Sequence, residues 1–192
     1  MRKLPYNLED RVDNIIYIGV EYVAPFFNYF NLTPNFITTL GNICTICFFV
    51  LFLKKQFLLA SFFFALSYFF DCLDGYYARK YNMVTKFGDW YDHLSDTIKT
   101  ILMLCAFYII NFSLLLQLLP LLAMLFILLT FHLANQEIYY NDFSSSESLQ
   151  PLKQLTLASK NNVEDYLKYS RSVGCGTVTL ILVLIIAFYK PK

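Results

Sequence analysis

Residues 100–136 read TILMLCAFYIINFSLLLQLLPLLAMLFILLTFHLANQ, with no acidic or basic side chain apart from the titratable His132. A helix crosses the hydrocarbon of a bilayer with roughly 20 apolar residues, about 17 at the short limit. The run therefore supplies parts of two spans, joined tightly near Asn111-Phe112-Ser113. Three more stretches of the same character flank it. Phe36 to Leu53 carries no charge and is followed by Lys54-Lys55; Phe57 to Phe70 runs directly into Asp71; and Val173 to Tyr189 precedes Lys190 and Lys192. The reading is an all-α, polytopic integral membrane helix bundle of five spans, forming one membrane-embedded domain over residues 1–192.

Composition agrees. Of 192 residues, 57% are hydrophobic and only 15% charged, where an ordinary soluble domain carries about a quarter charged residues. Lys and Arg number 15 against 14 Asp and Glu, and a net charge of +1 gives no general surface for nucleic acid. Five cysteines stand singly or, at Cys44 and Cys47, within an apolar run, and read as membrane-buried thiols rather than a disulfide framework. Two histidines argue against a histidine-rich zinc centre, and His132 reads as a packed polar residue.

The amino-terminal region does not read as a cleavable signal, because Glu9, Asp10, Arg11 and Asp13 interrupt before any apolar run begins. Val12 to Phe30 is aromatic and aliphatic but contains Glu21, Pro25 and Asn28, which are costly at the bilayer centre; it is expected to lie along the interface. With the amino terminus inside, eleven Lys and Arg face the inner side and four the outer, which places residues 71–99 on the cytoplasmic face and the carboxyl terminus outside. Residues 141–172 form the one long polar segment, expected to be cytoplasmic, with Ser144–Glu147 and Pro151 as loop and Val163 to Tyr169 as a short surface helix. Trp90, Tyr91, Tyr76, Tyr77 and Tyr81 read as an aromatic belt at the interface.

The anomaly lies between the second and third spans. Asp71-Cys72-Leu73-Asp74-Gly75-Tyr76-Tyr77-Ala78-Arg79 is followed by Gly88-Asp89-Trp90-Tyr91-Asp92-His93-Leu94-Ser95-Asp96. If the second span continues as a helix, Asp71, Asp74 or Gly75, and Ala78 share one face; if the third begins near Gly88, then Gly88, Asp92 and Asp96 do the same. Two such helices side by side gather four carboxylates at one membrane face. Gathered and partly desolvated, these charges need a compensating cation, and Arg79 offsets only part of them. Mg²⁺ or Mn²⁺ suits hard oxygen ligands. Gly75, Ala78 and Gly88 leave room for a ligand carrying phosphates opposite the metals and Arg79.

These residues, Asp71, Asp74, Gly75, Ala78, Arg79, Gly88, Asp92 and Asp96, match the signature D-x-x-D-G-x-x-A-R, eight residues, G-x-x-x-D-x-x-x-D without a gap. The chain thus resembles the CDP-alcohol phosphatidyltransferase family, and Pro34-Asn35, Thr38 and Gly41 extend the likeness, which spans about residues 12–140 and weakens afterward. The resemblance implies that Asp71, Asp74 and Asp92 hold a pair of Mg²⁺ or Mn²⁺ ions, with Asp96 contributing a ligand and acting as general base on the acceptor hydroxyl. It also implies that Asp74, Gly75, Ala78, Arg79 and Gly88 bind a CDP-linked donor, that lipid serves as acceptor or donor, that CMP leaves, and that a homodimer is open to the chain. His93 after Asp92, with Phe131, Ala134 and Tyr139, resembles the choline and ethanolamine phosphotransferase branch, which transfers to diacylglycerol; Gln136 stands where that branch has tryptophan. The other branch moves a phosphatidyl group from CDP-diacylglycerol to glycerol phosphate, serine or inositol phosphate. A small ion or solute transporter is the rival class that intramembrane acids alone would permit. The family's usual six spans contrast with the single convincing span after Glu137.

Overall fold

The computed structural model describes residues 2–140 and 154–190. Six helices are found among them: α1 Arg11–Tyr29, α2 Pro34–Leu53, α3 Phe57–Lys80, α4 Lys86–Tyr139, α5 Val163–Ser170 and α6 Cys175–Ala187. The loop expected at Ser144–Pro151 lies outside the described residues. Helix starts follow local chemistry. Thr33 accepts a hydrogen bond from Phe36 N and Pro34 occupies the first turn of α2, while Thr85 accepts from Gly88 N at the start of α4. Lys55 and Asn82 take positive φ (61° and 57°) in the turns on either side of α3, so the chain reverses within a few residues.

The helices α2, α3 and α4, with the segment Val163–Ala187, are long and apolar enough to cross a membrane. At 54 residues α4 would be about 80 Å long if straight, more than twice the hydrocarbon thickness. It breaks instead at Asn111 (φ −159°, ψ 89°), whose Oδ1 accepts from Leu114 N and so caps the second half. The long helix is thus two helices joined at the break, so the four candidate spans among the described residues supply five helical segments for the bundle. Outward-facing Leu116, Leu119, Phe126 and Ile127 on the second half are positioned for lipid contact.

The helix α1 is not among those apolar enough to span. It buries Tyr17, Val20, Ala24 and Phe27 against Tyr68, Leu73, Tyr76 and Tyr77 of α3 and leaves Ile15, Ile18, Tyr22, Phe26 and Tyr29 exposed, as an interfacial helix does. Its first turn also holds the start of α6. Asp10 Oδ2 accepts from Gly174 N at 3.2 Å and Thr177 Oγ1 at 2.7 Å, and Asp13 accepts from Gly176 N at 3.2 Å and Tyr68 Oη at 2.7 Å. Burial pushes Asp13 up to about 6 and, with the neighbouring Asp13 charge, Glu9 up to about 7.

At the opposite end of α6, Tyr189 packs with Phe52, Phe57 and Phe107. The last helix thus begins beside the amino-terminal segment and finishes at the far end of the bundle. Leu4 and Leu8 join Val163 and Leu167 of α5 in a small core beneath α4, closed by a buried Lys3–Glu137 ion pair. The helix α5 lies at the surface with one face buried in this core. The aromatic-belt reading needs a larger correction: Tyr76 and Tyr77 are buried in the α1–α3 core, and Tyr91 bonds to α2, because these positions of α3 and α4 face neighbouring helices. Trp90 is exposed. The five cysteines are free thiols, and His132 is buried with Nδ1 2.9 Å from Ser170 Oγ.

Candidate active site

The last turns of α3 and the first turns of α4 are brought together by α2, which packs against both, at the end of the bundle that carries the amino-terminal segment. Polar contacts from α2 set their register. Asn42 donates to Tyr91 Oη at 3.1 Å and to Ser95 Oγ at 2.9 Å, fixing α4 to α2. Thr38 Oγ1 donates to Asp74 Oδ2 at 2.6 Å, fixing one carboxylate of α3 to α2. A Cβ on Gly41 would already touch Phe70 Cβ and Ser67 O at 3.4 Å, so glycine accommodates the close approach of α2 to α3.

Within this frame, one carboxylate oxygen from each of Asp71, Asp92 and Asp96 lies within 4.8 Å of the others. The helical spacing of the sequence motif thus converges in space, with Asp71 from α3 and the other two from consecutive turns of α4. Asp74, only 4% exposed, stands beside the triad and is turned onto Thr38. Three of the four acids meet directly and the fourth is adjacent.

Lys99, counted in the sequence only as an inner positive charge, is the site residue that reading missed. Its Nζ lies 2.8 Å from Asp96 Oδ1 and 3.4 Å from Asp71 Oδ1. The signal was present: Asp92, Asp96 and Lys99 follow at i, i+4 and i+7 and so share one helical face. One ammonium cannot balance the group. Asp92 Oδ1 is buried with no hydrogen-bond partner, an arrangement that is costly unless a further cation or donor meets it. The all-oxygen donor set and this orphaned oxygen fit a hard divalent ion.

A cavity of about 300 Å³ opens next to the acids, lined by Asp74, Gly75, Ala78, Arg79, Gly88, Asp92 and His93, together with Lys3, Asn35, Thr38, Lys86, Asp89 and Tyr140. Every residue expected to form a nucleotide pocket is on its wall. A Cβ at Gly75 would come within 3.1 Å of Arg79 Nη1, so its absence leaves the guanidinium room; one at Gly88 would meet Asn35 Oδ1 at 3.2 Å. His93 Nε2 lies 3.5 Å from Asp89 Oδ1 one turn earlier on α4. Lys3 was unexpected on this wall, since it is remote in sequence and is carried there by its buried pair with Glu137.

The structure thus sets a carboxylate cluster that fits a divalent ion beside a cavity of mixed charge at one end of a membrane bundle. The comparison with known families agrees: the profile described as CDP-alcohol phosphatidyltransferase matches residues 31–190, and the chain belongs to that family, whose members are transferases of phospholipid biosynthesis acting on CDP-linked donors. Neither the curated proteins nor the solved structures compared with the chain gave a match. The family match begins later than the sequence reading placed it and continues through α6, so the carboxyl-terminal region lies within the family's range despite the single span after Glu137.

Proposed function

We propose that the protein transfers a phosphoalcohol or phosphatidyl group from a CDP-linked donor to a hydroxyl acceptor, with the acid cluster as a two-ion Mg²⁺ or Mn²⁺ centre held by Asp71, Asp74, Asp92 and Asp96. The observation that supports it most is the convergence of Asp71, Asp92 and Asp96 within 4.8 Å at the edge of the 300 Å³ cavity. Such ions, when bound, stabilise negative charge on the transferred and leaving phosphate oxygens. Gly75, Ala78 and Gly88 give the nucleoside a wall without side-chain bulk, and Arg79 faces the diphosphate as a charge-assisted donor. Asp96, exposed more than Asp74, accepts the proton of the attacking hydroxyl, and Thr38 holds Asp74 in its ligating orientation. The acceptor oxygen bonds to the phosphorus bearing the alcohol moiety, the bond to the CMP oxygen breaks, and CMP leaves.

The site is assigned to the cytoplasmic face, supported by the eleven-to-four bias of basic residues. A cytidylylated donor reaches it from water, while the acyl chains of the lipid substrate stay in the bilayer. For the substrates, the preferred reading is transfer of phosphocholine or phosphoethanolamine to diacylglycerol. Its support is His93 on the cavity wall beside Asp89, an acidic surround suited to an aminoalcohol. A second reading draws on Lys3, Arg79 and Lys86, three cationic side chains on the cavity wall of which Lys3 is paired with Glu137: CDP-diacylglycerol with a phosphorylated acceptor would bring phosphates to them. Purified protein in lipid, supplied with Mn²⁺ and a matrix of donor and acceptor pairs, separates them when products are identified by mass. Phosphatidylcholine or phosphatidylethanolamine from diacylglycerol supports the first; product only from CDP-diacylglycerol overturns it in favour of the second.

A further inference from the structure

We infer that Lys99 is a built-in counter-ion that keeps the second divalent ion out of the acid cluster until the donor's diphosphate arrives, an inference resting on the proposed two-ion reading. Its Nζ sits between Asp96 Oδ1 at 2.8 Å and Asp71 Oδ1 at 3.4 Å, bridging an acid of α4 to one of α3, whereas Asp92 Oδ1 has no hydrogen-bond partner. The cluster is therefore asymmetric: one edge already carries a cation and the other lacks one. Its side chain is only 14% exposed, so the ammonium is confined among these carboxylates rather than free to drift into solvent.

Charge balance gives the asymmetry a consequence. Two divalent ions would alone neutralise four carboxylates, so Lys99 would add positive charge to a cluster already balanced. A CDP-linked diphosphate brings two negative charges, equal to the two positive charges that a second divalent ion would add. In a partly desolvated site, uncompensated charge is expensive. The first ion is taken by the unpartnered Asp92 edge, and the second, which must share Asp71 and Asp96 with Lys99, is favoured only once the diphosphate is present. Lys99 is thus a positioning residue, acting through the ions rather than on the substrate.

The test is Mn²⁺ binding to the full-length protein in detergent, followed by electron paramagnetic resonance of free Mn²⁺, with and without CDP as probe. Wild type is expected to bind one Mn²⁺ per chain alone and two with CDP. Lys99→Met should bind the second ion without CDP, with at least tenfold gain in its affinity, and Lys99→Arg, which restores the charge, should restore the dependence on CDP. Wild type taking both ions equally well without CDP overturns the inference, as does Lys99→Met with second-ion affinity unchanged or weaker. The wild-type arm can still overturn the inference where Lys99→Met fails to fold, and Lys99→Gln then takes its place as the charge-removing variant. Loss of Mn²⁺ binding in Asp92→Asn establishes the metal site whatever Lys99 does, and no Mn²⁺ binding by wild type under either condition would refute the two-ion reading itself.

Discussion

Replacing Thr38 by valine keeps the shape of the side chain and removes the hydroxyl that donates to Asp74 Oδ2 at 2.6 Å. Asp74 is 4% exposed, so water has little access to replace the lost donor. A hydrogen bond to a charged group contributes about 1.5–3 kcal/mol, and about 1.4 kcal/mol corresponds to a factor of ten. The expected result is a loss of about tenfold to a hundredfold in apparent Mn²⁺ affinity, the range typical for removing the outer partner of a metal ligand. The assay is CMP release across a Mn²⁺ titration, with thermal unfolding run in parallel because Thr38 also bonds to the Pro34 carbonyl at 3.2 Å. Thr38→Ser retains the hydroxyl and should restore the wild-type midpoint. An unchanged Mn²⁺ midpoint in Thr38→Val, with protein folded, would refute the claim that Asp74 is a ligand braced by α2.

Other expectations follow from the same geometry. Asp96→Asn should abolish most transfer while leaving CDP binding measurable, whereas Asp71→Ala should damage both; turnover of Asp96→Asn near wild type would move the base elsewhere. Glu9 is raised from 4.5 to about 7 by burial, so the folded protein binds its proton more tightly than the unfolded chain and this contribution to stability is lost as pH rises from about 4.5 through 7. Glu9→Gln, which keeps the Oε1 acceptor for Asp10 N–H, should flatten that decline and melt at higher temperature than wild type at pH 8; a slope identical to wild type would contradict the assignment. At Gly176 an added Cβ would fall 2.8 Å from Asp13 N, a backbone atom that cannot step aside. Gly176→Ala should therefore destabilise by about 1–3 kcal/mol, read as a lowered melting temperature in detergent.

What the sequence disclosed was set by local periodicity. The spacing of Asp71 with Ala78, and of Gly88 with Asp92 and Asp96, has meaning once both stretches are helical, because 3.6 residues per turn puts each set on one face. The break at Asn111 was legible because an uncharged run of that length exceeds one bilayer crossing. Contacts between distant parts of the chain were not. Nothing near Asp10 or Asp13 indicates that they cap the start of α6, some 160 residues later, nor that Lys3 reaches the cavity through Glu137, 134 positions away. The inward turn of Tyr76 and Tyr77 likewise depends on α1 packing over α3; tyrosines near charges carry the same local pattern whether they face lipid or protein. Lys99 lies between these cases, since its register with Asp96 is local but its approach to Asp71 needs α2 to bring α3 and α4 together.

The central claim is that Asp71, Asp92 and Asp96 hold a divalent ion on which release of CMP depends. The most direct measurement is CMP formation by purified protein in lipid with a CDP-linked donor and its acceptor, after exhaustive chelation and then during readdition of Mn²⁺ or Mg²⁺, for wild type and Asp92→Asn. The account predicts no CMP from the chelated enzyme, recovery on readdition in wild type, and none in Asp92→Asn. Undiminished CMP formation after rigorous metal removal, or full recovery in Asp92→Asn, would contradict it.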